Sequence, residues 1–407
     1  MMLRRKFIQN SSILAGGLLL PSELLATDSF LGYEPKAVEN RIKIGVIGCG
    51  DRGKGLIHIA KQLPDEFELV AIADVLDFRI KETLQQPGAV GVKTYADYRA
   101  LLDDPQITAV FISTPLNMHF PIASAALKAG KHVYLEKTMT YDIPEAFALV
   151  ELVKKHPKQT LQVGHQYRYA PIYYKVKEMI DNGYLGKVTQ IESRWDRNNN
   201  WRRPIADPSF ERKVNWRMYK EYSGGLMAEL LSHQMDFINW AFHTHPKEIM
   251  ATGGIDTYKD GRETYDNVQV MFRYDDMIGN FGTTLGNERD GYLFKLKGTK
   301  GTISLLVNDA IFYPEKSLKK ELETVDGVTG ATKIVWDKNG GIPIKTDLPA
   351  KDGTYYSLKD FHKSILEKKQ PDSNVITGAT TAFCVHLANK ALYGQQIERW
   401  EPKYNLV

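Results

Sequence analysis

The sequence predicts an α/β fold that opens with a parallel sheet wound with helices, and three observations carry that prediction. Apolar runs of strand length alternate with helix-periodic segments from Ile42 to Gly164. The first run leads straight into Gly48-Cys49-Gly50-Asp51-Arg52-Gly53, a G-x-G-x-x-G loop. The second run ends in an acid, Asp74, which stands 24 residues after Gly50.

Each element follows from its residues. Ile42-Lys43-Ile44-Gly45-Val46-Ile47 is β-branched and of strand length. The glycines after it permit a tight turn, close approach of backbone to a pyrophosphate, and close packing of helix on strand. The helix that follows, with Leu56, Ile57 and Ala60 at helical spacing, turns its positive N-terminus toward those phosphates. A carboxylate at Asp74 suits ribose hydroxyls and repels a 2′-phosphate, which favours NAD, while Arg79 nearby leaves NADP open. Ala109–Pro115, His132–Leu135 and Thr160–Gly164 read as later strands, with helices near 122–129 and 144–155 between them. Ligands of such sheets sit at the carboxyl ends of strands, and Thr114-Pro115, Glu136-Lys137 and His165-Gln166 all stand there.

Composition sets the outer limits. Charged residues at 25% and hydrophobic ones at 43% describe a folded globular chain, and 407 residues are too many for one small core. A net charge of +4 over that length lacks the concentrated basic face that nucleic acid requires. Two cysteines, Cys49 and Cys384, exclude a disulfide scaffold. Arg4-Arg5-Lys6-Phe7-Ile8, the short apolar run Ile13–Leu20 and Leu24-Leu25-Ala26 form an export signal over residues 1–26, of a twin-arginine-like type. The apolar run is well short of the ~20 residues that cross a bilayer, so no permanent span and a periplasmic or otherwise exported location are expected. Residues 27–40 read as a linker, 41–163 as the dinucleotide-binding domain and 164–407 as a substrate-binding and oligomerisation domain.

The glycine loop, Ser113-Thr114-Pro115-Leu116-Asn117-Met118-His119 and Ala129–Lys137 together resemble the glucose–fructose oxidoreductase / inositol dehydrogenase / rhizopine-catabolism (Gfo/Idh/MocA) family. The resemblance resumes at Ser223-Gly224-Gly225 through Glu229, His233 and Asp236, and again at Lys297–Thr302. It implies a Rossmann domain followed by an α+β domain on a large, mainly antiparallel open sheet, assembled as a homodimer or homotetramer. It also implies that NAD is held by Gly48, Gly50, Asp51, Arg52, Gly53, Asp74, Thr114, Pro115, Asn117, His119, Glu136 and Lys137. Lys137 corresponds to the family's catalytic lysine, and Glu229 and His233 to its helical acid and histidine. Thr138 stands where the family has proline and Glu229 where it has aspartate, which puts the backbone after Lys137 and the reach of the carboxylate in question.

The residue types fit those roles. Hydride transfer from a carbinol needs a base for the hydroxyl proton and a donor for the developing oxyanion. His233 titrates near neutrality and suits the first task, and Lys137 suits the second. Glu229, four residues before His233 in the helical pattern Leu226–Trp240, shares its face and either orients it or binds a neighbouring hydroxyl. Glu229, His233, His243 and His245 are acceptable metal ligands, but no H-x-x-x-H or paired-cysteine spacing organises them, so no metal is expected.

A strand at Val188–Trp195 runs into a polar stretch punctuated by tryptophans. Flat rings stack on sugar C–H faces and arginines bind hydroxyls, so Trp195, Arg197, Trp201, Trp216 and Arg217 are substrate candidates, a subunit contact being the alternative. Gln166, Arg168 and Tyr169, close after a strand end, are substrate candidates too. The expected activity is an exported NAD-dependent oxidoreductase acting on a sugar or glycoside hydroxyl. Outside the cytoplasm no obvious pool regenerates free cofactor, so the cofactor is expected to stay bound and return to its starting state in each cycle. The rivals are a redox-neutral NAD-dependent glycoside hydrolase on the same scaffold and a non-catalytic carbohydrate-binding protein with structural NAD.

Overall fold

The structure, a computed structural model, describes residues 40–289, 291–318 and 337–406. The predicted export signal and almost all of the predicted linker lie outside the described residues. Six strands form a parallel sheet: β1 (Ile42–Ile47), β2 (Phe67–Ala73), β3 (Lys93–Tyr95), β4 (Ala109–Ile112), β5 (His132–Leu135) and β6 (Leu161–Val163), in the order β3-β2-β1-β4-β5-β6. The order reverses between β1 and β4, which opens a crevice at their carboxyl ends. Helices Asp51–Lys61, His119–Lys128 and Ile143–Lys155 make the crossovers. Because helices cover its faces, β4 is buried at every position and reads as an unbroken apolar run.

A second, nine-stranded sheet follows: β7 (Val188–Trp195), β8 (Glu248–Gly254), β9 (Asn267–Arg273), β10 (Ile278–Thr284), β11 (Tyr292–Gly298), β12 (Gly301–Leu305), β13 (Ala310–Pro314), β14 (Ile342–Pro343) and β15 (Glu398–Arg399). Only the β7–β10 pair is parallel; the other pairs run antiparallel. β9 alternates strictly, with Val268, Val270 and Phe272 inward and Gln269, Met271 and Arg273 outward. The inner face packs on helix Ser232–Phe242 and on helix Val375–Gly394, whose start Asn374 caps through its side-chain oxygen on the Ile376 and Thr377 amides. Cys384 is fully buried in that last helix.

The parallel sheet ends with β6 at Val163 and the second sheet begins with β7 at Val188, but one later helix crosses back. Gly353–Glu367 comes from the C-terminal part, yet it packs on the parallel sheet. Phe361 stands 6.0 Å from Phe111 and 5.8 Å from Tyr134, ring to ring. Ser357 meets the Tyr134 hydroxyl at 3.1 Å, and its carbonyl accepts from Gln162 at 2.8 Å. Gly353 is obligatory at the docking point, because a Cβ there would lie 2.3 Å from the Gln166 carbonyl oxygen.

Between the layers, His386 meets the Thr140 carbonyl at 3.0 Å. Burial pushes its pKa from 6.5 down to about 4. Burial does the same to His165, against the opposing pull of Asp236. Both imidazoles are therefore neutral in the folded protein and take up a proton more readily once unfolded. In the window from about 6.5 to about 4 the unfolded chain binds more protons, so stability falls as the pH drops through it. The melting midpoint should decline over that window, and His386→Gln, which keeps a donor for Thr140, should flatten the decline. A Gln variant that melts as steeply with acid as the parent would remove His386 from the account.

Candidate active site

The crevice at the β1–β4 switch widens into a cavity of about 1310 Å³. Its floor is the glycine loop. Gly48 has φ +94°, and a Cβ there would stand 2.6 Å from the Ser113 carbonyl oxygen; a Cβ on Gly53 would lie 1.9 Å from the Gly48 oxygen. Gly48 therefore makes the turn and Gly53 lets helix Asp51–Lys61 seat on β1. No side chain caps that helix, so its first amides face the cavity. Asp74 accepts from the Cys49 amide at 2.7 Å and the Leu76 amide at 2.8 Å, which fixes the loop beside the carboxylate. Asp51, Thr114, Pro115 and Asn117 line the same cavity, and the Thr114 hydroxyl and the Asn117 side-chain oxygen are buried without a protein partner. An anion-facing helix end, a glycine cradle and orphaned polar atoms fit a dinucleotide.

A smaller cavity of about 150 Å³ shares Arg52, Thr114, Trp216, Arg217 and Glu229 with the first, and adds His119, Glu136, Lys137 and Gln166. Its charges are paired. Arg52 Nε meets Glu136 at 2.6 Å, and Arg217 Nε meets Glu229 at 2.7 Å. Lys137 donates to the main-chain carbonyls of Glu229 at 3.0 Å and Ala228 at 3.3 Å, and the Lys137–Thr138 peptide is cis. Burial lowers the Lys137 pKa, against the pull of Glu229 and Glu136. Burial raises that of Glu229, but Arg217 and Lys137 outweigh it and hold the carboxyl below its ordinary range. An ammonium with three donors, two of them committed to carbonyls, keeps one for a ligand oxygen.

Residues 42–165 match the oxidoreductase family with an NAD-binding Rossmann fold, and residues 173–304 match the C-terminal domain of the same family. The chain belongs to the Gfo/Idh/MocA oxidoreductase family. It is 32% identical to inositol 2-dehydrogenase/D-chiro-inositol 3-dehydrogenase of Lactiplantibacillus plantarum, over 37% of this chain and 43% of that one. It is 34% identical to oxidoreductase P35 of Formosa agariphila, over 49% of this chain and 60% of that one. The chain thus matches about half the length of these curated relatives. A levoglucosan dehydrogenase, solved with NADH and levoglucosan, superposes with a TM-score of 0.69 at 21% identity, over 88% of this chain and 99% of that one. An oxidoreductase from Thermotoga maritima does so with a TM-score of 0.68 at 19% identity, over 86% and 96%. At such identities these likenesses establish the fold.

Several site residues of this family member stand elsewhere than expected. Arg168 and Tyr169 are core residues, not substrate ligands. Arg168 is 1% exposed and grips Asp236 with Nε at 2.8 Å and Nη2 at 2.5 Å, while the Tyr169 hydroxyl donates to Asp360 at 2.9 Å. An unpaired buried guanidinium would be costly, and Asp236 neutralises this one. His119 lines the small cavity and braces the cleft: its ring nitrogens lie 2.8 Å from the Thr138 carbonyl and 3.1 Å from that of Thr114, and since burial lowers its pKa, one nitrogen donates while the other stays an acceptor. Glu229 does not orient His233. Met227–Leu231 is a π turn, so the acid serves Arg217 while His233 packs between Tyr167 at 4.6 Å and Trp195 at 5.7 Å. Burial, together with Lys137, His165 and Arg52, drives the His233 pKa well below its ordinary value, so the ring is neutral at neutral pH and not poised to titrate there. Its Nδ1 is buried without a partner.

Trp201 lines the large cavity with Asn199, Asn200, Arg202 and Arg203, so it faces the dinucleotide groove rather than the small pocket. The segment from the end of β7 to Met218 is a strap across that groove. Arg203 pairs with Asp51 of the glycine-loop helix, and Phe210 meets Phe78 at 5.8 Å. On its other side Arg202 is tied to Glu211 and Asp260. Arg203, Phe210 and Tyr167 were not legible as site residues. Tyr167 alone carried a signal, as the second residue after His165 at a strand end. Arg203→Ala should speed cofactor dissociation about two- to five-fold, as befits an exposed pair, measured by chasing bound NADH with excess NAD; an unchanged rate would mean that the clasp holds nothing.

Proposed function

We propose that the chain is an exported, NAD-dependent oxidoreductase that oxidises or reduces a sugar or glycoside hydroxyl and keeps its cofactor through the cycle. The observation that carries the redox chemistry is the position of Lys137, its ammonium held on the carbonyls of the π turn where the small pocket opens off the dinucleotide groove. Related proteins named for inositol and levoglucosan support a polyol or sugar as substrate class. Bound NAD supplies the hydride acceptor. The third Lys137 proton steadies the oxygen that loses its hydrogen, and neutral His233, its Nδ1 unpartnered, accepts the hydroxyl proton and passes it on, because burial first, then Lys137, His165 and Arg52, oppose the charge it would keep. Arg217 and Glu229 offer a donor and an acceptor to neighbouring hydroxyls.

The strap favours a second reading, redox-neutral glycoside hydrolysis, because a cofactor enclosed by Arg203–Asp51 and Phe78–Phe210 suits a cycle that restores it. Cofactor-loaded protein incubated with a panel of glycosides decides between them. Reduced-nicotinamide absorbance growing in step with product means net dehydrogenation, whereas aglycone release without it means hydrolysis. Silence in both channels, with sugar still bound, would leave a carbohydrate-binding protein.

A further inference from the structure

Both arginines that line the small pocket have a counter-charge, whereas one close to His233 has none. Arg52 has Glu136, Arg217 has Glu229, and Arg168 beneath has Asp236. Arg79 carries no carboxylate either, but it lies at Gly50, over the phosphate loop, where the dinucleotide supplies negative charge. The unpaired one is Arg197, which lines neither cavity but stands behind Trp195. It leaves the end of β7 with its amide on the Thr284 carbonyl at 2.8 Å. Its guanidinium lies 5.2 Å over the ring of Trp195, and that ring is 5.7 Å from His233. Its Nε is buried and has no hydrogen-bond partner, and among the described residues no carboxylate comes within ion-pair distance of it. Stacking on tryptophan satisfies the face of a guanidinium but none of its N–H groups, and a buried donor left unmade is costly. Its charge is felt at Tyr167, whose hydroxyl burial pushes up to about 12, with Asp352 raising it and Arg197 and Arg52 lowering it.

We infer that the substrate is an anionic sugar, bearing a carboxylate or a sulfate ester, and that Arg197 binds that charge on the Trp195–Tyr167 wall beside His233. This rests on the proposed sugar chemistry and adds the charge of the molecule it acts on. A planar fork suits either oxyanion, with Trp195 holding the fork in place and the sugar ring directed toward Lys137.

Two measurements test it on the cofactor-loaded protein. Tryptophan-fluorescence quenching compares binding of glucose, glucuronate and glucose 6-sulfate, and turnover of the corresponding methyl glycosides compares kcat/KM. The charged sugars should bind roughly 10- to 100-fold more tightly than glucose, and Arg197→Gln should erase that difference. Arg197→Lys, which keeps charge but not the fork, should restore part of it. Preference for glucuronate alone assigns a carboxylate, and for the sulfate alone a sulfate ester. Equal binding of neutral and charged sugars, or a preference that survives Arg197→Gln, overturns the inference. Charge-dependent binding without turnover upholds it and removes the oxidoreductase reading, so the two fail separately.

Discussion

Replacing Lys137 by methionine should lower kcat about 10³-fold or more while leaving NAD affinity within a few-fold of the parent. The side chain of methionine fills much of the same volume, so the change removes the charge and its hydrogen bonds rather than the packing. What is lost is the one donor not spent on the carbonyls of Ala228 and Glu229, the group that meets the oxygen whose charge develops. Removing a single such donor costs roughly 10²–10³ in rate, and loss of the proton-handling partner adds to it. Glu229 should respond as well, because Lys137 is second only to Arg217 among the groups holding its carboxyl low. Single-turnover reduction of bound NAD isolates the chemical step, and cofactor titration by fluorescence reports affinity. A variant that keeps parental turnover would take Lys137 out of the chemistry and leave the pocket as a binding site.

The second large effect is expected from Gly53→Ala. A methyl at that position would sit 1.9 Å from the Gly48 carbonyl oxygen and 2.9 Å from the Ser113 hydroxyl, which itself donates to that oxygen at 2.9 Å, so the Gly48 backbone cannot yield without breaking this contact. Helix Asp51–Lys61 would have to lift from β1, which carries Asp51 and Arg52 away from the groove and opens Arg52–Glu136. Overpacking of this kind costs about 3 kcal/mol or more when backbone must move. Cofactor affinity should fall at least about 100-fold, since the helix end and the loop amides no longer converge on the phosphates. Gly55→Ala, two residues on, meets nothing within 4 Å and serves as the matched control. Equal affinity in both variants would contradict the seating described for this helix.

The parallel sheet was legible because covered strands are written as unbroken apolar runs and because the glycine loop is a local device. Lys137, Glu136 and Thr114 were legible for the same reason, as they follow directly from strand ends. What escaped the sequence depends on partners far along the chain. Arg168 reads as a surface-capable ligand until Asp236, 68 residues later, is seen beneath it. Glu229 and His233 share a helix face only if the helix is regular, and the π turn at Met227–Leu231 sends them to different partners. Trp201 and Trp216 look equivalent in sequence, yet Trp201 meets only the groove while Trp216 lies at the mouth common to both cavities. Charge pairing across the strap could not be read at all, since Asp51 and Arg203 are joined only when both sheets are in place.

Helix Gly353–Glu367 has one more consequence, for the order in which the molecule can be completed. All six parallel strands are complete by Val163, yet the aromatic face of Phe111 and Tyr134 waits for Phe361, and Arg52 waits for Thr354, 302 positions further along the chain. Until then the nascent nucleotide fold carries an uncovered hydrophobic surface and an unfinished arginine anchor. Cofactor capture should therefore come late in biogenesis. A fragment ending at Val163 should be sticky and poor at binding NAD, however complete its sheet.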